Sequence, residues 1–193
     1  MKTQSNLKRL LTSRTRLKLI EHLFYFPQNF YYVRQLVRLT QEEINSVRRE
    51  LANLKASGIV SSESRTNKLY YWANSESPFF PDLLQLANKI SGLGAALNHQ
   101  DQLKLLFYNR QFALGQPPGS DTIDLIIVGD LPLRSVEGPI KEEERLRGRE
   151  INYMLMSRSE FQLRRQKRDP FIIDFFLAYP LLVLGNPKEI LHS

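Results

Sequence analysis

The sequence predicts an α+β protein in two unlike parts: a basic, mostly helical part closed by a β-hairpin, and a neutral part in which strand and helix signals alternate. Three observations carry this expectation. Over residues 13–58, helix, turn and longer helix are each delimited by capping residues, and a hairpin pattern follows to residue 75. Beyond residue 100, apolar strand runs alternate with charged or amphipathic helical stretches. The net charge of +7 is unevenly placed: residues 1–99 hold 14 Lys and Arg against 7 Asp and Glu, whereas residues 100–193 hold 13 of each. A chain of 193 residues can form two small domains with separate cores.

In the first part, SRTRLKLIEHLF has Ser13 as N-cap and places Leu17, Ile20, Leu23 and Phe24 at helical spacing; Pro27 and Asn29 then mark a turn. A short helix is expected in YYVRQLVRL. Thr40 then opens TQEEINSVRRELANLKASG, with Glu43 three residues on as its capping-box partner and Gly58 as its left-handed stop. Ile44, Val47, Leu51 and Leu54 form the buried stripe of this helix. The opposite face carries Glu42, Asn45, Ser46 and Arg49, with Arg48 beside it and Gln41 at the exposed N-terminal end. These side-chain types read base edges or hold phosphates. GIVSSESRTNKLYYWAN then reads as a hairpin with Arg65, Asn67 and Lys68 at its tip.

In that order, SRTRLKLIEHL, YYVRQLVRL, NSVRRELANLKASGIV and KLYYWAN resemble a winged helix-turn-helix of the ArsR type over about residues 10–75. The resemblance implies that the helix from Gln41 to Ser57 reads double-stranded DNA and that the hairpin tip touches the adjacent backbone or minor groove. Metal sensing, which the family's variants build from cysteine and histidine, does not carry over, because this half has no cysteine and only the scattered His22 and His99.

Residues 76–99 form a proline-bounded turn and an apolar helix with Leu83, Leu84, Leu86, Ile90, Leu93 and Leu97. Too apolar for a solvated linker, the segment is expected to mate two protomers in a homodimer or to bridge two domains.

From residue 100, KLLFYNRQFALG begins as a strand, PPGS turns, and DTIDLIIVGD is a second strand. A charged helix spans EGPIKEEERLRG, REINYMLM is a strand, and Ser157 with Glu160 caps SRSEFQLRRQKR. Pro170 opens the helix PFIIDFFLAYP, LLVLG is the last strand, and NPKEILHS a final helical turn. Over about residues 103–186 this order resembles the minimal nucleotidyltransferase fold, in which a Gly-Ser pair holds a triphosphate, an Asp-x-Asp pair on the next strand binds Mg²⁺, and a later strand carries a third carboxylate. On that resemblance Arg110 and Gln111 stand where Gly and Ser belong, Thr122 stands at the first Asp, Asp124 matches the second, and Glu150 matches the third carboxylate. Asp121 is one residue off, and successive strand side chains point to opposite faces, so only a local bulge would bring it beside Asp124. Solvation, or a salt bridge with a neighbour such as Arg149, is the other reading of the remaining acids. The site is expected to be vestigial.

Other chemistries are excluded on composition. The chain has no cysteine, so neither disulfides nor thiolate metal sites, and His22, His99 and His192 are scattered. Neither a phosphate-binding GxxxxGK[ST] loop nor a GxSxG elbow occurs. No apolar run is long enough to span a membrane and the first residues lack a secretory pattern, so a cytoplasmic protein is expected. Together these readings describe a DNA-binding transcriptional regulator with a non-catalytic second domain, needing no cofactor or metal, whose second domain is open to an effector or protein partner. The alternative is an enzyme that transfers a nucleotidyl group to a protein or nucleic acid and uses the first domain for targeting.

Overall fold

The structure, a computed structural model, describes residues 13–117, 119 and 122–188. It is mixed α and β, and divides into two compact units between Ile90 and Ser91. Among the described residues, no helix is long and apolar enough to cross a membrane.

The first unit begins with α1 (Arg14–Tyr25), whose N–H at Arg16 donates to Ser13 Oγ at 3.2 Å and whose Leu17, Ile20, Leu23 and Phe24 are buried. The aromatic pair expected to open the next helix is instead a short strand, β1 (Tyr31–Tyr32), and α2 runs Val33–Thr40. Cross-strand aromatic pairing favours this departure, because Tyr31 and Tyr32 lie opposite Tyr71 and Tyr70.

The longer helix, α3, spans Ile44–Ala56, so its expected start at Thr40 is corrected. Thr40 ends α2, its hydroxyl donating to Leu36 O at 2.7 Å, and Gln41 follows in the left-handed region at φ 53°. Glu43 is itself the N-cap: its carboxylate accepts from the N–H groups of Asn45 (2.8 Å) and Ser46 (3.0 Å), where an anion also suits the positive end of the helix dipole. At the other end Ile59 N donates to Leu54 O and Gly58 N to Lys55 O, the Schellman arrangement that requires Gly58 at φ 68°.

Strands β2 (Val60–Arg65) and β3 (Lys68–Ala73) form the hairpin, and β1 adds to β3, giving the order β1-β3-β2 with all pairs antiparallel. Its two-residue turn places Thr66 and Asn67 at φ 45° and 64°, the geometry of a type I′ turn. A β-branched residue is strained there, so Thr66→Asn is expected to stabilise the chain by about 0.5–1 kcal/mol. A lower melting temperature for this variant would show that the turn is of another type.

Helix α4 (Phe80–Ile90) closes the first unit. It packs on α1, with Phe80 5.6 Å from Phe24 between ring centroids and Leu84, Ala87 and Ile90 buried. Of the apolar stripe expected to mate two protomers or bridge two domains, Leu84 and Ile90 are buried inside the first unit, whereas Leu93 and Leu97 belong to the second. Nor is the expected single helix continuous: Ser91 is extended, Gly92 has φ 49°, and α5 (Gly92–Leu97) belongs to the second unit.

The second unit carries a four-stranded sheet of order β6-β5-β4-β7, built from β4 (Leu103–Tyr108), β5 (Leu125–Gly129), β6 (Tyr153–Met156) and β7 (Leu181–Gly185). The pair β5/β6 is parallel and is joined by the crossover helix α7 (Arg134–Arg147); the other pairs are antiparallel. Leu105, Phe107, Ile126, Val128 and Met156 line one face, packed against Phe161 of α8 (Arg158–Gln166) and Ile172 and Phe175 of α9 (Pro170–Leu177). By strand alternation Leu106, Tyr108, Leu125 and Ile127 point to the other face, where Phe112 of the one-turn helix α6 (Arg110–Ala113) meets Tyr108 edge-on at 5.1 Å. Ser157 caps α8 by accepting from Glu160 N at 3.1 Å, but the Glu160 carboxylate pairs with Arg164. Gly185, at φ 107°, lets β7 approach β4, since a Cβ there would stand 2.1 Å from Lys104 O. The helical turn expected at the C-terminal end lies largely outside the described residues.

Candidate nucleic-acid interface and carboxylate site

Three kinds of residue decide what α3 can touch. Its inner side is fixed by Val47, Leu51 and Leu54, all buried, and by Glu50, which reaches back to α1. Arg16 Nε lies 2.9 Å from Glu50 Oε2. Burial pushes the Glu50 carboxyl up, but hydrogen bonds from Ser13 and Arg16 and the Arg16 charge outweigh it and hold the group below its ordinary value. Its outer side exposes Asn45, Arg48, Arg49, Ala52, Asn53 and Lys55, with Ser46 half-buried at the edge. No acid occurs among the exposed positions of the helix, and no ion pair among the described residues engages Arg48 or Arg49. Asn53, one turn beyond Arg49, extends this face and is a residue that the sequence reading missed. The same 3.6-residue projection that selected Asn45 and Arg49 would have found it.

Glu42 is a correction. Glu42 was expected on the reading face, but it turns toward α1: Lys18 Nζ lies 2.6 Å from its carboxylate, Arg14 Nε 3.2 Å, and Thr15 Oγ1 donates to it at 3.4 Å. The hydrogen bond from Lys18 and the two cationic charges hold the Glu42 carboxyl below its ordinary value against a smaller effect of burial. Lys18 also donates to the carbonyl of Thr40, so one cation ties the α2–α3 turn to α1. Gln41 is exposed within that turn, outside the helix.

At the hairpin tip, Arg65 and Lys68 face each other across the turn, and Asn67 is exposed in it. Arg65 pairs with Glu63 at 2.6 Å and lies 4.9 Å over the ring of Phe30, while Lys68 lies 5.1 Å over Tyr32. Both residues are exposed. Arg34 and Arg38 on α2 are exposed as well, and the sequence reading gave neither a role.

In the second unit the residues matched to a nucleotidyltransferase site are partly brought together. Asp124, 1% exposed, enters β5 beneath Arg149, whose Nη2 and Nη1 donate to its two carboxylate oxygens at 2.7 and 2.9 Å. Asn152 N donates to the same carboxylate at 3.1 Å. Both carboxylate oxygens of Asp124 therefore accept from protein donors, two of them charged guanidinium nitrogens. Arg149 also lies 5.1 Å over Phe112, which fixes its orientation. Glu150, placed by the resemblance on a strand, is exposed in the approach to β6 and lies outside it. Asp121, whose bulged placement was the route to a metal pair, lies outside the described residues. Among the described residues no three His, Asp or Glu side chains gather to hold a metal ion.

Arg110 and Gln111 open α6, with Asn109 Oδ1 accepting from Gln111 N at 2.8 Å. They line a cleft of about 700 Å³ together with Thr122, Ile123 and the α9 residues Phe171 and Asp174. Gly119 packs so closely on the hydroxyl of Thr122 that a Cβ would stand 2.7 Å from it. Thr122 thus borders the cleft without a carboxylate, and its carbonyl accepts from Asn152 Nδ2 at 3.4 Å.

No family model, curated protein or solved structure matches this chain.

Proposed function

We propose that the chain is a sequence-specific DNA-binding regulator whose first unit is a winged helix-turn-helix and whose second unit is a nucleotidyltransferase-like domain without catalysis. The observation that carries the reading is the outer face of α3. It presents Asn45, Arg48, Arg49 and Asn53 on consecutive turns, with no exposed acid among them. A helix of this kind, held from behind by α1 and α2, suits a major groove, where arginine pairs with guanine and asparagine with adenine. The element order helix, short strand, helix, helix and hairpin supports the winged form, with Arg65 and Lys68 available to phosphates beside the groove. The +7 carried by residues 1–99 supports a polyanionic partner.

Asp124 supports the non-catalytic reading of the second unit, because its two oxygens are engaged by Arg149 and Asn152. Two-metal or one-metal phosphoryl chemistry needs those oxygens for the cation. The cleft beside Arg110 and Gln111 leaves this unit open to a small effector.

Selection of duplexes from a random pool, followed by binding isotherms across a salt series, tests the reading. Log affinity is expected to fall with log salt by about 0.9 for each phosphate contacted. Arg49→Ala is expected to lose about 1–3 kcal/mol on the selected site and little on random duplex, while Lys68→Ala weakens both alike. A flat salt response, or equal losses for Arg49→Ala on both duplexes, would remove the α3 reading. Half-site spacing in the selected sequences reports whether one copy or two engage the DNA.

A further inference from the structure

We propose that the outer face of the β1-β3-β2 sheet is a base-stacking platform for single-stranded nucleic acid, distinct from the α3 face offered to duplex DNA. Strand register puts the rings there. Tyr32 lies opposite Tyr70 and so shares its side of the sheet; Trp72, two residues along β3, is on that side too. Phe30, just before β1, meets Trp72 at a tilt of 56° with centroids 5.1 Å apart, and Tyr32 meets Tyr70 edge-on at 6.1 Å. The intervening Tyr31, Tyr71 and Ala73 are buried in the core, so four large rings occupy the solvent side of a small sheet. Phe30 remains 45% exposed, which core formation does not require.

Each ring couple carries a cation. The Arg65 guanidinium lies 4.9 Å over Phe30, the Lys68 ammonium 5.1 Å over Tyr32, and Arg38 donates to the Tyr32 hydroxyl at 3.4 Å. On the paired strands of this face the acid is Glu63, already engaged by Arg65. Flat π faces alternating with flexible cations complement a chain of unpaired bases on a phosphate backbone. A base that stacks on Phe30 or Tyr32 displaces the cation from that ring, and the cation gains a phosphate in exchange. Duplex DNA, with its bases stacked on one another, cannot use the rings in this way. The inference stands independently of duplex reading by α3, and either can fail alone.

Trp72 is the one tryptophan of the chain, so its emission reports on this face directly. The full-length protein would be titrated with oligothymidylate and oligouridylate, following Trp72 emission and, independently, the anisotropy of labelled oligonucleotide. Quenching is expected on binding. Phe30→Leu and Tyr70→Leu, which keep most of the apolar area and remove a stacking face, are each expected to weaken single-strand binding roughly tenfold, with the fold checked by circular dichroism. Arg49→Ala should leave single-strand binding unchanged while impairing duplex binding, and Tyr70→Leu should do the reverse. An unchanged emission together with unchanged anisotropy would overturn the proposal, as would equal sensitivity to Arg49→Ala. Emission that follows protein concentration and ignores oligonucleotide would assign the face to a second copy of the chain and overturn it too.

Discussion

Glu143→Ala is expected to destabilise the second unit by about 3–5 kcal/mol, more than any change on the exposed face of α3. The Glu143 side chain is fully buried and that of Arg147 is 4% exposed, one helical turn apart on α7, with Nε to Oε1 at 2.6 Å. The other carboxylate oxygen accepts from Leu93 N at 3.0 Å in the first turn of α5, so the same acid caps a neighbouring helix. Arg147 in turn donates to Phe112 O at 3.0 Å and lies 4.1 Å over the Phe112 ring. Alanine at 143 removes the carboxylate that the buried Arg147 guanidinium faces and, with it, the acceptor of Leu93 N in the first turn of α5. Removing both charges is a different experiment. Glu143→Met with Arg147→Leu loses the pair without stranding either ion, and its cost should fall well below that of the single change. Chemical denaturation of the three proteins measures the difference; equal losses for single and double variants would show that the cap on α5, and not the ion pair, dominates.

How far the sequence revealed these features depends on the distance over which each is determined. Ser13, Gly58, Ser157 and Pro170 announced helix ends correctly because a cap is satisfied within four residues of itself. The hairpin over 60–73 was legible for the same reason, its alternation and its turn being contiguous. Thr40 and Glu43 fitted a capping box as well as they fitted their actual roles. What decided between the two was Lys18, far back in α1, which holds both the Thr40 carbonyl and the Glu42 carboxylate. No local pattern contains that information. Strand β1 was missed because two residues give no periodicity, and it exists only through pairing with β3. The break at Ser91–Gly92 was hinted at by Gly92 and Gly94, but the apolar stripe running through it outweighed them. In the second unit the sequence brought Asp124, Thr122, Arg110 and Gln111 to one neighbourhood and raised Arg149 as a partner for the leftover acids. That the guanidinium grips Asp124 with two nitrogens follows from the packing of Phe112 beneath it, which spacing alone does not express.

Asp124→Ala should lower the stability of the second unit by about 2–3 kcal/mol and leave nucleotidyl transfer undetectable, as in the parent. The carboxylate is buried, and its removal strands three donors, two from Arg149 and the N–H of Asn152. Arg149 is 23% exposed along its side chain and can turn partly to water, which sets this cost below that of Glu143→Ala. Asp124→Asn discriminates between a structural and a catalytic role. It retains an acceptor for Asn152 N–H but not the charge for Arg149, so its stability should lie between parent and Asp124→Ala. Incubation of each protein with Mg²⁺ or Mn²⁺ and labelled nucleoside triphosphates, alone and with protein or nucleic-acid acceptors, supplies the second readout. For a catalytic carboxylate, parent and variants would differ by orders of magnitude in label transfer at similar stability. For a carboxylate held as Asp124 is, they should differ in stability and not in transfer. Label transfer by the parent that Asp124→Asn abolishes would mean that Arg149 releases the carboxylate to a metal, and would make the second unit an enzyme.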